Sequence, residues 1–200
     1  MMFELLRLNL NVTDEDFNAI YPENISLLAR KHWTPVTVAQ TACEFLVGEP
    51  GTRVLDIGSG AGKFCLVGAA HTRGYFTGVE QRSELVELSR QLSARHHIYN
   101  VKFVHANITA IDFRNYEAFY FYNSFYEHID LGNKIDDKIR FDVQLYHLYS
   151  RHVVQQFLAL PLGARVATYC TPLNVVPKCF RQLDSLHGGF LKFWEKVNIR

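Results

Sequence analysis

A short apolar run, a turn with glycine at alternate positions and a second apolar run follow one another at residues 53–71: RVLDI, GSGAG, KFCLVGAAH. The first run is too short for a helix and fits a strand buried on both faces, while the second has the length of a helix. Gly58, Gly60 and Gly62 allow a sharp reversal between the two, because glycine adopts left-handed backbone without steric cost. The helix then directs its first N–H groups and the positive end of its dipole back at the turn. A small anion such as a carboxylate fits there.

The same alternation fills the rest of the chain. YFTGVE, VKFVHA, AFYFYN, GARVATYC and GFLKFWEKV read as strands. SELVELSRQLSARH reads as a helix capped by Ser83, with Leu85, Leu88 and Leu92 on one face. Residues 137–160 read as one long helix with Phe141, Leu145, Leu148 and His152 in a stripe. Strands alternating with helices imply an α/β fold, a mainly parallel sheet with helices on both faces. Ligands of such sheets bind at the carboxyl ends of the strands. Upstream, Thr13 followed by three acids starts a helix. Thr34 and Pro35 are expected to cap and open another that Gly48 closes. The expected organisation is one domain over 1–200, with a helical N-terminal cap at 1–50 and an α/β core at 51–200.

Three nucleotide-binding loops begin like LDIGSGAGKF. A phosphate-binding P-loop needs four residues between its first glycine and the Gly-Lys pair, then a hydroxyl for magnesium. Here the gap is one residue short, and Phe64 stands where the hydroxyl is required. A dinucleotide loop, G-x-G-x-x-G, places its third glycine where helix and strand pack closely. That position is Lys63. The spacing present is D-x-G-x-G-x-G: Asp56, Gly58, Gly60, Gly62, with Ser59 inside the turn.

On these residues the chain resembles the class I S-adenosylmethionine (SAM)-dependent methyltransferases, whose first motif has this pattern. The resemblance covers residues 53–170 and implies a Rossmann-like fold with a seven-stranded sheet. Only GFLKFWEKV is evident after GARVATYC, so one strand is expected to be short or missing. The resemblance also implies SAM as cofactor and S-adenosylhomocysteine as product. By position, Asp56, Gly58, Ser59, Gly60 and Gly62 would hold the methionine half. Glu80, about 20 residues beyond Gly60, would accept hydrogen bonds from both ribose hydroxyls. Gln81 would border the adenine, Asn107 would meet its amino group in place of the commoner Asp, and Ile108 would give an apolar edge. Asn123 and Tyr126 fall where the family has its fourth motif, beside the transferring methyl, and Asn123 would touch both cofactor and acceptor. The segment Asn123-Ser124-Phe125-Tyr126 replaces the Asn-Pro-Pro-aromatic of many nitrogen methyltransferases. It also resembles the Asn-x-Phe of histone-lysine methyltransferases without a SET domain. Glu127 or His128 is a candidate proton acceptor, and Trp33 a candidate lid over the cofactor.

The expected function is therefore SAM-dependent methylation of nitrogen, with protein lysine as lead acceptor, then a small molecule, then nucleic acid. A net charge of +1 gives no general electrostatic grip on nucleic acid. A SAM-binding protein without catalysis and an NAD-dependent oxidoreductase are the alternatives from other classes. Four scattered cysteines without a C-x-x-C pair, no apolar run near the ~20 residues of a membrane span and no cleavable leader make a cytoplasmic protein the expectation. The histidines have no ligand spacing, and no metal is expected.

Overall fold

The computed structural model describes residues 2–198. Five helices come first: α1 (Met2–Arg7), α2 (Asp14–Asn18), α3 (Glu23–Ser26), α4 (Ala29–His32) and α5 (Val36–Leu46). The sheet region then runs β1 (Arg53–Ile57), α6 (Lys63–His71), β2 (Tyr75–Glu80), α7 (Ser83–Arg95), β3 (Val101–His105), β4 (Ala118–Phe121), α8 (Val143–Ala159), β5 (Arg165–Tyr169), β6 (Phe180–Leu186) and β7 (Leu191–Lys196). The strands lie in the order β3-β2-β1-β4-β5-β7-β6. The first five are parallel, and β7 runs antiparallel between β5 and β6.

Side chains alternate across each strand, and the two faces collect separate cores. Val54, Ala118 and Tyr120 join the cluster containing Phe17, Leu46 and Phe64, on the face covered by α1, α2, α5, α6 and α7. Leu55, Ile57, Phe119 and Phe121 join Val153 and Phe157 of α8 on the other face. The N-terminal helices thus share one core with α6. Thr13 forms the expected capping box with Asp16.

The sheet has all seven strands, contrary to the expectation of a short or missing one. The strand overlooked is β6, an edge strand in which only Phe180 is buried. Its remaining side chains carry no alternation to read. The long helix starts at Val143, where Asp142 accepts the Gln144 N–H (2.8 Å), and not at residue 137. Its buried stripe is Tyr149, Val153 and Phe157, and Leu148 is exposed. Ser83 is the first helical residue of α7 and caps nothing, because Arg82 holds the cap position. Thr34 does not cap α5 either. Its hydroxyl bonds Tyr120, and Asp14 of α2 accepts the Val36 N–H in its place (3.0 Å).

The chain reverses its direction of travel across the sheet between β1 and its neighbour β4. A crevice opens at such a point, outside the carboxyl ends of the strands.

Candidate active site

A cleft of about 330 Å³ lies at this reversal, lined by the ends of β1, β2 and β4, the start of α6 and the segment before α5. Four of its lining residues, Gly58, Ser59, Gly60 and Ala61, come from the glycine turn, and Gly62 stands behind them. Gly58 has φ +76 and a Cβ there would strike Ser124, 2.5 Å away. Gly62 has φ +80 and a Cβ would strike Phe103 and Ser89, each at 2.7 Å. These two glycines are required by the protein's own packing. Gly60 differs: a Cβ there would meet nothing within 4 Å, so the space beside it is open.

Asp56, at the end of β1, is buried in the cleft wall. Burial, reinforced by the charge of Glu80, pushes its carboxyl up to about 7, while the bond from the Cys65 thiol (3.4 Å) pulls the other way. Glu80 ends β2 and is also buried. One oxygen accepts the Gly60 N–H (3.1 Å), and the other accepts the N–H groups of Gln81 (2.8 Å) and Arg82 (2.9 Å). Burial raises the Glu80 pKa, and the Arg82 charge opposes it. The turn and the carboxylate are thereby fixed to each other, as a diol-binding carboxylate needs. Ser59 lines the cleft, while its Oγ is buried against Gly78 of β2 and has no hydrogen-bond partner among the described residues. An open glycine and a clamped carboxylate in one cleft suit a nucleoside with a charged tail.

The opposite wall is Tyr122, Asn123, Ser124, Tyr126 and Glu127, which follow β4. Asn123 has φ +42, a conformation asparagine tolerates. Its N–H donates to Thr171 Oγ1 (3.1 Å) and its carbonyl accepts the Tyr126 N–H (3.0 Å). Its side-chain amide makes no hydrogen bond among the described residues. Ser124 donates to the Ile57 carbonyl, which ties this turn to β1.

The N-terminal segment closes a third side. Trp33 lines the cleft, packs against Tyr21 (ring centroids 4.4 Å apart) and has the Lys63 ammonium 5.8 Å from its ring centre. Tyr21 OH donates to the Ala61 carbonyl (3.1 Å). Thr34 and Tyr120 share a buried hydrogen bond of 2.8 Å, and Tyr120 stacks on Phe64 at 3.7 Å.

Asp56, Gly58, Ser59, Gly60, Glu80, Asn123, Tyr126 and Trp33 are thus brought together in one cleft. Gly62 stands just behind it. Gln81 and Ile108 border a smaller adjoining pocket, with Gly58 and Glu80 common to both. Asn107 lines neither. Its amide oxygen caps a turn by accepting from Thr109 N–H and Oγ1, and its NH2 group donates to Gln81 Oε1 and Tyr149 OH. The local Asx turn takes the group that an adenine would need. Glu127 is held by two bonds from Arg82 (2.8 and 3.0 Å) and one from the Ile135 N–H, so it is no free base. His128 is buried against Phe141 and Tyr149 and does not line the cleft.

Sequence reasoning missed Arg82, Thr34, Tyr120 and His32. Arg82 gives no local signal, since its partners are 45 and 54 residues away. Among the described residues no group of three or more His, Cys, Asp or Glu could hold a metal ion, and no helix is long and apolar enough to cross a membrane.

The methyltransferase-domain family model matches residues 48–135, from the end of α5 to beyond the Asn123 turn. TrmN from Thermus thermophilus superposes with TM-score 0.60 at 17% identity over 86% of this chain and 52% of its own. The cyclase SpnF superposes with TM-score 0.52 at 16% identity over 66% of this chain and 43% of its own. An RNA methyltransferase from Salinibacter ruber, in complex with S-adenosylhomocysteine, gives TM-score 0.60 at 18% identity, covering 84% of this chain and 95% of that one. The chain therefore spans about half the length of the first two and nearly all of the third. No curated protein matches it in sequence. The matched segment contains the motif I turn, the clamped Glu80 and the Asn123 turn, so residues 48–135 are similar to a methyltransferase domain, and the strand order is that of a Rossmann-like methyltransferase fold.

Proposed function

We propose that residues 1–200 act as one methyltransferase unit that methylates nitrogen, with a lysine side chain of a protein as acceptor. The observation that carries this reading is the Asn123 amide: it lines the cleft between Tyr122 and Tyr126 and has no hydrogen-bond partner among the described residues. Its carbonyl oxygen is an available acceptor for the hydrogens of a neutral amine. The two tyrosine rings suit an aliphatic chain and the ammonium that develops at its end.

In this reading Glu80 holds the ribose, Gly60 and Ser59 border the methionine half, and Asp56 faces its charged end. Bound there, SAM supplies a methyl carbon already activated by its sulfonium. The protein has then to align one lone pair and dispose of one proton. His32 lines the cleft, and its ring bonds to no described residue. Burial lowers its pKa, and in this reading a ring nitrogen accepts a hydrogen bond from the amine and passes the proton it loses on to solvent. This assigns to His32 the role that neither Glu127 nor His128 is placed to fill.

A second reading is methylation of a nucleic-acid base. It is favoured by Arg30 and Lys31 on α4, exposed and without a carboxylate partner among the described residues, with Lys31 lining the cleft. Two of the similar folds are TrmN and an RNA methyltransferase, but likeness at this identity concerns the fold alone.

Methyl-labelled SAM, incubated with an extract of the source cells and the protein, decides between them. Label in the protein fraction, released as N-methyl-lysine and lost with Glu80→Gln, is the expected result. Label in nucleic acid would replace the first reading by the second. No label beside normal SAM binding would leave a non-catalytic SAM-binding protein, and binding of NAD in place of SAM would return the oxidoreductase.

A further inference from the structure

Among the described residues, Arg82 is the one guanidinium buried in the site, with its side chain 3% exposed. Its fork reaches three carboxylates from two parts of the chain, the end of β2 and the segment after β4. Nη1 and Nη2 donate to the two oxygens of Glu127 (3.0 and 2.8 Å), Nε donates to Asp136 Oδ1 (3.0 Å), and Nη1 lies 3.5 Å from Glu80 Oε1. Glu80 is the ribose carboxylate. Glu127 and Asp136 belong to the segment 124–138, which contributes Tyr126, Glu127 and Ile135 to the cleft wall. That segment is built of turns and short 3-10 helices, with no strand ladder to hold it. Among the described residues, its only other polar tie to β2 and α7 is the exposed pair Lys138–Glu84. An exposed pair contributes little, whereas a planar fork bound on every edge fixes both partners in place.

We propose that Arg82 is a positioning residue that couples the ribose carboxylate to the acceptor-side wall, so that cofactor binding and ordering of residues 124–138 occur together. The proposal rests on the cofactor reading given above. It predicts that loosening the far end of the clamp weakens binding at the near end. Asp136 is the clean probe, because its side chain lines neither pocket and so cannot touch a bound nucleoside.

The experiment uses the full chain and S-adenosylhomocysteine. Trypsin cleavage at Lys134, Lys138 and Arg140 is timed by mass spectrometry with and without the ligand, cleavage at Arg181 of β6 is the control, and affinity is measured by calorimetry. In the wild type the ligand should slow cleavage at the three sites. Asp136→Ala should speed ligand-free cleavage there at least fivefold and weaken binding at least threefold, with Arg181 cleavage unchanged. Asp136→Asn, which keeps the side chain's shape and also lines neither pocket, should act in the same direction and serves if Asp136→Ala speeds cleavage everywhere. Faster cleavage with unchanged affinity, or no change in either, overturns the coupling. A wild type that binds no S-adenosylhomocysteine overturns the cofactor reading itself and the coupling with it.

Discussion

The ammonium of Lys63, buried at the start of α6, lies against the Asp14 carboxylate of α2. The Asn18 amide oxygen is 2.9 Å from it, and the same Asp14 oxygen accepts the Val36 N–H that opens α5. Burial pulls the Lys63 pKa down and Asp14 holds it up. One half-exposed acid thus joins two N-terminal helices to the motif I helix. Asp14→Asn keeps an oxygen for Val36 but removes the charge, and should cost about 1–2 kcal/mol in urea unfolding. Asp14→Ala also removes the cap and should cost about 1 kcal/mol more. Equal losses would mean that the cap contributes nothing.

Asp56 makes stability depend on pH. Its folded pKa of about 7 exceeds the ordinary value near 4, so the folded chain keeps a proton that the unfolded chain releases. The contribution is unfavourable once the carboxyl must ionise in place, and stability falls as pH rises from about 4 to about 7. In the ligand-free protein, Asp56→Asn should reduce the loss of unfolding free energy between pH 5 and pH 8 by about 2–3 kcal/mol. Parallel profiles for the two proteins would show that Asp56 is ionised throughout.

Thr34 and Tyr120 bond each other with both side chains buried. Thr34→Val or Tyr120→Phe alone strands one hydroxyl and should cost about 1–3 kcal/mol. The double variant removes both polar groups and should cost less than the sum, with a coupling near 1 kcal/mol in thermal or urea unfolding. Strict additivity would mean that water satisfies each hydroxyl in the single variants.

The glycines of the turn should separate by consequence. Gly62→Ala adds a clash with Phe103 and Ser89 to a left-handed backbone and should cost upwards of about 3 kcal/mol. Gly60→Ala carries the backbone penalty alone, about 1–2 kcal/mol. Its methyl enters the open side of the turn, so S-adenosylhomocysteine affinity, measured by calorimetry, should fall at least tenfold. A folded Gly60→Ala protein with full affinity would move the cofactor away from this turn.

What the sequence made legible was local. The β1–turn–α6 unit, Glu80 at the end of β2 and the Asn123 turn after β4 are each signalled by a strand of a few residues and what directly follows it. What it hid depends on partners far along the chain or on exposure. Phe180–Leu186 pairs only with β7 at the sheet's edge and shows one buried side chain, so no pattern marks it. Arg82 and Lys63 look like ordinary surface cations until Glu127, Asp136 and Asp14 fold onto them. The Asx turn that engages the Asn107 amide oxygen depends on Thr109 and on the local backbone, and the sequence alone does not reveal it.

Asn123 separates binding from transfer. Its backbone bonds to Thr171 and Tyr126 hold the turn without help from the side chain. Glycine adopts φ +42 without strain, so Asn123→Gly removes the amide and leaves the turn intact. Cofactor affinity should then stay within about twofold. Methyl transfer to the acceptor found in the labelling experiment should fall about 10- to 100-fold, equivalent to about 1.4–2.7 kcal/mol of transition-state stabilisation. Asn123→Asp, which keeps an acceptor oxygen at the same place, should recover part of the rate. If Asn123→Gly loses cofactor affinity in proportion to rate, the amide is part of the cofactor site. The acceptor amine must then be held elsewhere in the cleft, with Tyr122 and Tyr126 the next residues to vary.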